Sequence, residues 1–285
     1  MASKTSLFMF VLICFQLIPL YNELKVEKER HYCQEGQHTW EGAFKSCAGK
    51  EQSPVDVPCS TCNVALKTNF PNFAWSQTYY ESPRSIKLIR TKDTVGLQPC
   101  GVKIKIKGGP LRDTYQLDHI HFHWGDHDNI GSEHSINGKY FPMEAHAVFF
   151  NTKYGKLKKA ELQKDGIMIM AYMYHIVSKT NDIAMNCVTC CFEKFYSRSK
   201  KITIPIPFPM ARLLPPFQRR YVCYAGSLTT PPCHETVTWI IFDKILEISR
   251  ENIERFRDLY CIDPGLRNNY RRVQPLNGRV FVARA

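Results

Sequence analysis

The alternation of histidine with apolar residues between residues 119 and 124 constrains the fold more than any other feature of this chain. The segment runs His119-Ile120-His121-Phe122-His123-Trp124. Successive side chains of a β-strand point to opposite faces, so the three histidines would share one face and the three apolar residues the other. A single histidine is more often an ordinary core or surface residue. Three at every second position indicate a strand with a core on one side and a metal site on the other.

A second strand is predicted from Phe141 to Phe150, where Glu144, His146 and Val148 fall on one face by the same period. If the two strands pair, His146 can join the first set of imidazoles. Three imidazoles from two rigid strands, without a fourth protein ligand, describe a catalytic zinc site in which water takes the open position. The spacing alone leaves His119 as a further candidate ligand.

The rest of the chain predicts many strands and few short helices. Residues 85–107 alternate as two or three strands, residues 167–177 form a continuous apolar run typical of a buried central strand, and residues 235–242 alternate again. Ser249 can cap a short helix that follows it. Residues 178–219 contain five prolines and predict extended loop.

The N-terminus predicts export. Lys4 is followed by a largely apolar run, Ser6 to Leu20, which is short for a membrane span and is interrupted by Gln16 and Pro19. We interpret residues 1–22 as a signal peptide rather than a signal anchor, with one mature domain over residues 23–285. No other stretch is apolar enough to span a bilayer, so we expect a secreted, extracellular protein without stable membrane insertion.

Twelve cysteines are many for a reducing compartment and favour disulfides in an exported chain. Removal of Cys14 with the signal peptide leaves 12 − 1 = 11, so at least one thiol is free or pairs between chains. The pair Cys59 and Cys62 and the cluster Cys187, Cys190 and Cys191 are interpreted as disulfide-forming rather than as a second metal or redox site.

The formal charge of +12 and the pI near 9.1 imply attraction to acidic partners. Basic residues cluster in residues 153–164 and 267–279, but neither cluster is interleaved with a nucleic-acid motif. For an exported protein we therefore expect an acidic polysaccharide or matrix protein as a macromolecular partner, and no nucleic acid.

Several separated motifs resemble those of the α-class carbonic anhydrases, in spacing as well as in residues. They are residues 115–125 (YQLDHIHFHWG), 131–134 (GSEH), 143–146 (MEAH) and 226–232 (GSLTTPP), with flanking blocks at 52–56, 107–111, 237–239 and 274–276. The resemblance implies one predominantly β (α+β) domain with short helices, built on a large central twisted sheet that is mostly antiparallel. It also implies a zinc enzyme that hydrates CO2 reversibly to bicarbonate and a proton through zinc-bound hydroxide. Three neutral imidazoles lower the pKa of the bound water to about 7, a value known from this family.

The resemblance also implies a role for individual residues. The zinc ligands would be His121, His123 and His146, oriented by His119, Asn269 and Glu144. Thr229 would accept a hydrogen bond from the hydroxide, and Glu133 would accept one from Thr229. The residues expected to contact substrate are Val148, Ile169, Leu228, Thr230, Val237 and Trp239. Cys47 and Cys233 match the disulfide of extracellular family members.

Three positions depart from the family pattern. His119 stands where the family commonly has Gln, and Ile169 stands where a smaller Val is usual, which would narrow the pocket. The proton-shuttle histidine of fast members is matched by Thr91 or by Asp93, depending on where a gap is placed. Neither residue exchanges protons efficiently at neutral pH, so we expect slower proton transfer unless His119 or buffer substitutes.

These departures keep a second hypothesis open. In it the chain is a binding module with the carbonic anhydrase fold, which captures an acidic polysaccharide or matrix protein through its basic surface while catalysis is secondary or lost. A zinc esterase is a third interpretation, but no distinct sequence feature favours it.

Overall fold

The computed structural model describes residues 34–58, 66–197, 199–217 and 220–284. The predicted signal peptide, its boundary with the mature domain, Cys59 and Cys62 lie outside these residues. Among the described residues the strands are β1 Asp56–Val57, β2 Leu66–Thr68, β3 Ala74–Trp75, β4 Ser85–Arg90, β5 Val95–Cys100, β6 Lys105–Lys107, β7 Tyr115–Trp124, β8 Ser135–Ile136, β9 Met143–Asn151, β10 Ile167–Val177, β11 Lys201–Thr203, β12 Tyr221–Gly226, β13 Val237–Phe242, β14 Leu246–Ser249 and β15 Val282–Arg284.

The helices are short and lie between or beside the strands. Those in the described ranges are α1 Gln34–Ala43, α2 Leu157–Ala160, α3 Ile183–Thr189, α4 Glu193–Tyr196, α5 Met210–Leu213 and α6 Arg250–Asp258. Single 3-10 turns occupy Lys45–Ala48, Gln77–Tyr79, Thr152–Tyr154, Leu259–Cys261 and Pro264–Leu266.

One large sheet dominates the fold, as predicted. Within the described residues thirteen strands belong to it, with the main order β11-β4-β5-β7-β9-β10-β13-β12-β15-β2 and with β14, β6 and β3 attached beside that path. Most neighbours are antiparallel, but β10 runs parallel to β13 and β14, and β15 runs parallel to β2. Strand β10 lies in the interior of the sheet and is covered on both faces. This explains why its sequence is a continuous apolar run rather than an alternating one.

The two faces of β10 point into two different cores. Met168, Met170 and Tyr172 pack with apolar residues of α3 and α6 on one face. Ile167 and Ile169 pack on the other face with residues of β9 and β13. The metal-site histidines of β7 point away from the first core, in which Ile120, Phe122 and Trp124 are buried. The predicted division of this strand into an apolar face and an imidazole face is therefore confirmed.

Helix α6 begins where the sequence predicts it, and α3 appears where the sequence predicts loop. The Ser249 hydroxyl accepts a hydrogen bond from the backbone N–H of Asn252 at 3.2 Å and caps α6. The prediction of extended loop for residues 178–219 is wrong where α3, α4, β11 and α5 lie. The Asp182 side chain caps α3 and accepts from Met185 N at 2.9 Å. The apolar side of α3 is then buried against α6 and the sheet.

The cysteines divide into one bridge and several thiols. Cys47 and Cys233, paired in the resemblance, are joined by a disulfide that closes the N-terminal segment onto the loop before β13. The disulfide prediction for Cys187, Cys190 and Cys191 is wrong, since all three are free thiols. They lie on or just after α3, where Cys190 Sγ accepts a hydrogen bond from Arg255 and Cys191 Sγ contacts the Cys187 carbonyl at 3.3 Å.

Candidate metal centre

The pairing of β7 with β9 brings the predicted ligands together. The two strands are antiparallel, and their register sets His121 directly opposite His146, with His123 two residues further along β7. The ring nitrogens of these three histidines lie within 4.8 Å of one another. The sequence prediction that the two strands pair, and that His146 joins the histidines of β7, is confirmed.

Each of the three imidazoles is held by a contact to its outer nitrogen. His123 Nδ1 donates to the Asn269 carbonyl at 2.6 Å, His146 Nε2 donates to Glu144 Oε1 at 2.6 Å, and His121 Nδ1 lies 3.1 Å from His119 Nε2. The nitrogens that face one another are therefore His121 Nε2, His123 Nε2 and His146 Nδ1. His119 lies outside this group, because its other ring nitrogen contacts Asp118 Oδ2 at 2.8 Å.

The donor set fits a zinc ion. His121 Nε2 and His146 Nδ1 are 3.3 Å apart. Two nitrogens at tetrahedral positions around zinc, each about 2.0–2.1 Å from it, are about 3.3–3.4 Å apart. Burial lowers the pKa of His121 and that of His123 below the usual histidine value. Both rings are therefore neutral at physiological pH, and each keeps a lone pair for a metal.

A buried carboxylate oxygen beside the histidines also fits a metal centre. Glu133 is fully buried, and its Oε2 has no hydrogen-bond donor among the described residues. This oxygen lies 3.4 Å from His123 Nε2 and 3.8 Å from His146 Nδ1. A buried carboxyl oxygen without a hydrogen-bond donor is costly unless positive charge is close to it. The site therefore has the electrostatic character that a cation requires.

Glu144 contacts the third candidate ligand, His146, and is itself held by three further hydrogen bonds. Its Oε1 accepts from the rings of His146 and His134, and its Oε2 accepts from the backbone N–H groups of Glu133 and His134, both at 2.8 Å. Burial alone would raise the pKa of Glu144, but the facing His134 and His146 rings hold it well below its usual range. Glu144 is thus ionised and fixes the proton of His146 on Nε2.

Sequence reasoning gave no role to His134 or to the residues behind it. His134 Nε2 contacts the Tyr224 hydroxyl at 2.6 Å, and that hydroxyl donates to Ser53 Oγ at 2.9 Å. His134 lies inside a recognised motif, but nothing local to the sequence marks Tyr224 or Ser53 as its partners. Through His134, Tyr224 and Ser53, hydrogen bonds connect Glu144 on β9 to strand β12 and to the segment before β1.

Asn269 connects the segment after Pro264–Leu266 to His123 and its neighbours in β7. Its side-chain oxygen accepts from Trp124 N at 2.7 Å, and its side-chain amide donates to the Phe122 carbonyl at 3.0 Å and to the Asp93 carbonyl at 2.8 Å. These bonds fix the Asn269 backbone, whose carbonyl holds His123.

The predicted apolar wall lies next to the histidines. Val148, Ile169, Val237 and Trp239 are buried in one cluster, and Leu228 packs against it with partial exposure. The Trp239 ring lies 4.8 Å from the His146 ring, centroid to centroid, and its N–H donates to the Ser227 carbonyl at 3.0 Å. Thr229 is buried in the loop after β12, and Thr230 lines the cavity in front of His121.

The hydrogen bond expected between Thr229 and Glu133 is not formed among the described residues. Glu133 Oε1 accepts instead from the backbone N–H of Arg271 at 2.9 Å. Its Oε2 is turned towards His123 and His146. The carboxylate therefore faces the imidazoles rather than the Thr229 hydroxyl.

A cavity of about 480 Å³ leads from the histidines to solvent. Both residues considered for the shuttle position, Thr91 and Asp93, line it together with Asp118 and His119. Neither alternative for the gap is favoured by this placement, since both residues reach the same cavity. Whichever of Thr91 and Asp93 stands at the shuttle position, its side chain lines the cavity.

The fold and the site together define a class: a large twisted β-sheet that carries three inward-facing imidazoles with an adjoining apolar wall. Residues 35–285 match the family model described as eukaryotic-type carbonic anhydrase. Similar proteins include mouse carbonic anhydrase 7, 30% identical over 268 residues that cover 89% of this chain and 97% of that protein. Rabbit carbonic anhydrase 1 is 34% identical over 243 residues, which cover 82% of this chain and 99% of that protein.

The chain therefore belongs to the eukaryotic-type carbonic anhydrase family. This confirms the predicted family, the fold class and the interpretation of the chain as a carbonic anhydrase enzyme. As for the membrane, no helix in the described part of the chain combines the length and the apolar character needed to cross one.

Proposed function

We propose that this chain is a zinc enzyme that catalyses the reversible hydration of CO2 to bicarbonate and a proton, with His121, His123 and His146 as the zinc ligands. The observation that supports this most is that three imidazoles turn one nitrogen each towards a common point, while their outer nitrogens are held by other groups. Zinc bound there supplies Lewis acidity that lets water lose a proton near neutral pH.

The protein's own residues prepare this site before substrate arrives. Glu144 and the Asn269 carbonyl hold His146 and His123 in the tautomers that leave a lone pair facing inwards. The apolar wall of Val148, Val237 and Trp239 offers CO2 a surface with no competing hydrogen bonds. Ile169 extends that wall, and its additional methylene group makes the pocket narrower than a Val at the same position would.

We propose that Thr229 and Glu133 orient the attacking water. Thr229 is buried beside the site, and its hydroxyl can accept one hydrogen bond and donate another. Glu133 Oε2 has no hydrogen-bond donor among the described residues and would accept from Thr229 after a side-chain rotation away from the imidazoles. Thr229→Ala should lower kcat/KM for CO2 about 100-fold, as loss of one orienting group typically does, while Thr229→Ser should retain most activity. Equal activity in both variants would contradict this role.

We propose further that proton export limits turnover, because neither Thr91 nor Asp93 supplies the histidine that faster family members use. Stopped-flow CO2 hydration at low and high imidazole concentration tests this directly. The rate should rise with imidazole, and either Asp93→His or Thr91→His should remove most of that dependence. A wild-type rate insensitive to buffer would show that another group, such as His119, already carries the proton.

We infer that the protein is secreted, on the strength of residues 1–22 and the disulfide between Cys47 and Cys233, a bond typical of oxidising compartments. Expression of the full chain in cultured secretory cells should deliver it to the medium, with an N-terminus near residue 23 by protein sequencing. Retention inside the cells with Met1 intact would contradict secretion.

Polysaccharide capture stays a prediction, and contacts of the described residues give it little support. In the cluster 267–279, Arg267 pairs with Asp126, while Arg271 and Arg279 donate to backbone carbonyls near Gln52. In the cluster 153–164, Lys153 pairs with Asp113 and Asp165. Salt-sensitive retention on a heparin column, lost in a variant with neutral residues at the exposed lysines of 156–164, would revive this alternative.

A further inference from the structure

Two consecutive residues of β7, Asp118 and His119, both line the cavity in front of the proposed ligands. An ideal strand would point them to opposite faces. The register between β7 and β9 shifts between Leu117 and His119, so Asp118 is an extra residue without a partner opposite it. A bulge of this kind changes the direction of a side chain. Here it turns Asp118 to the same side as His119.

The bulge creates a chain of contacts that ends on a proposed ligand. Asp118 Oδ2 lies 2.8 Å from His119 Nδ1, and His119 Nε2 lies 3.1 Å from His121 Nδ1. The rings of His119 and His121 are nearly parallel, with 28° between their planes and 5.1 Å between their centroids. Both distances are those of hydrogen bonds.

Only one arrangement of protons satisfies this chain when His121 offers Nε2 to zinc. His121 must then carry its proton on Nδ1 and donate it to His119 Nε2. His119 must accept at Nε2, so its own proton lies on Nδ1 and is donated to the Asp118 carboxylate, which can only accept. The other tautomer of His119 would set two N–H groups against each other.

We propose that Asp118 and His119 act as a paired positioning device, in which Asp118 fixes the tautomer of His119 and His119 thereby fixes the orientation of His121. Glu144 performs this task for His146 in one step, whereas here the carboxylate acts through an intervening imidazole. The inference rests on the proposed function, since it requires His121 to be a zinc ligand through Nε2.

The size of the effect follows from the exposure of the pair. Groups behind a metal ligand typically change metal affinity by about 10- to 100-fold when removed. The side chains of Asp118 and His119 are 28% and 32% exposed, so water weakens their contact. We therefore expect the lower end of that range, about tenfold, for loss of Asp118.

A double-mutant cycle on zinc affinity tests the proposal. Zn²⁺ dissociation constants are measured by chelator competition at constant pH for the full-length protein, Asp118→Ala, Asp118→Asn, His119→Gln and the double variant Asp118→Ala/His119→Gln. Asp118→Ala should weaken zinc binding about tenfold in the wild-type background and less than about twofold in the His119→Gln background, since the amide oxygen of Gln accepts directly from His121. Asp118→Asn should fall between wild type and Asp118→Ala, because its amide oxygen still accepts from His119.

Asp126 and His127 provide a matched control. Asp126 Oδ1 lies 3.7 Å from His127 Nε2, but this pair contacts no proposed ligand. Asp126→Asn should leave the zinc dissociation constant unchanged. In parallel, nitrogen-15 NMR of labelled histidines in the metal-free protein should report a proton on Nδ1 of His119 in the wild type and a shift towards the Nε2-protonated form in Asp118→Ala. A role of Asp118 in stability alone would not change that tautomer.

Three results would overturn the inference. They are unchanged zinc affinity in Asp118→Ala, an equal loss in both backgrounds, and a His119 tautomer that does not respond to Asp118. Failure of the proposed function has a different outcome: His121→Ala would then bind zinc as tightly as wild type. That result would remove the ligand assignment, and the inference with it, in the same titration.

Discussion

Replacement of Glu144 by Gln should weaken metal binding about 10- to 100-fold and lower the stability of the fold by a comparable free energy. Gln has the same shape, but one of the two carboxylate oxygens becomes an NH2 group. If that group faces the backbone N–H groups of Glu133 and His134, two pairs of donors clash. If it faces the rings of His134 and His146, the amide oxygen still satisfies both backbone groups, and the imidazoles can adapt by moving a proton.

The second orientation is the less costly one, and its consequence falls on the metal site. His146 would carry its proton on Nδ1, the nitrogen that faces His121 at 3.3 Å. A metal would then have to displace that proton and leave Nε2 opposite an amide donor. We expect zinc affinity to fall about 10- to 100-fold, or about 1.4–2.7 kcal/mol. The free energy of unfolding of the metal-free protein should fall by about 1–3 kcal/mol, because an ionised acceptor is lost.

Chelator competition measures the zinc dissociation constant, and urea denaturation of the metal-free protein measures its free energy of unfolding. Glu235→Gln is a suitable control, since Glu235 Oε1 also accepts two hydrogen bonds, from Glu51 N and the Gln52 side chain, and neither partner is a proposed ligand. Glu144 does not act through the tautomer of His146 if Glu144→Gln binds zinc as tightly as wild type, or if the Glu235→Gln control loses as much zinc affinity as Glu144→Gln.

Three other perturbations test separate parts of the structure. Ile169→Val should raise kcat/KM for CO2 severalfold and cost about 1 kcal/mol of stability, by stopped flow and denaturation; a lower rate would contradict a narrowed pocket. Cys47→Ser should lower the free energy of unfolding by about 2–5 kcal/mol, and no change under oxidising conditions would argue against the bridge. The free energy of unfolding of the metal-free protein should fall by up to about 3 kcal/mol as the pH is lowered from 7.5 to 5.5. The folded state keeps His121 and His123 neutral, because their pKa values are lowered. The unfolded chain takes up protons on the same residues below the ordinary histidine pKa near 6.5 and is stabilised by them. Stability independent of pH across that window would contradict their burial as neutral rings.

Sequence alone predicted the centre of this fold because its strands carry strong, short-range patterns. The alternation around His121 has one apolar face and one imidazole face, and only a strand satisfies both. The apolar run of β10 is explained equally simply, since it is covered on both sides. Ser249 was recognisable as a cap because its bond is local.

Helix α3 could not be predicted in this way, because its stability depends on distant contacts. The Thr189 hydroxyl bonds to the Asn252 side chain at 2.7 Å, across 63 residues of sequence. Its apolar residues Ala184, Met185 and Val188 are buried in the same core as Ile253 and Phe256 of α6. The prolines that follow α3 suggested loop for the whole stretch, and nothing local contradicted them.

The candidate site shows the same division between local and distant information. The ligand histidines follow from periodicity and from the resemblance. The nitrogen that each one presents follows from Asn269, Glu144 and His119, and of these three Asn269 alone is distant in sequence from the histidine that it contacts. Asp118 was not a candidate, because a regular strand would have placed it on the face opposite His119. Only the register shift in β7 brings the two together.

Zinc content and CO2 hydration, measured on the same preparation, test the central claim most directly. Wild type should hold about one zinc per chain and accelerate hydration well above the uncatalysed rate, and chelation should abolish that rate until zinc is restored. His121→Ala should lose both the metal and the activity. A zinc-loaded wild-type protein that hydrates CO2 no faster than His121→Ala would contradict the account.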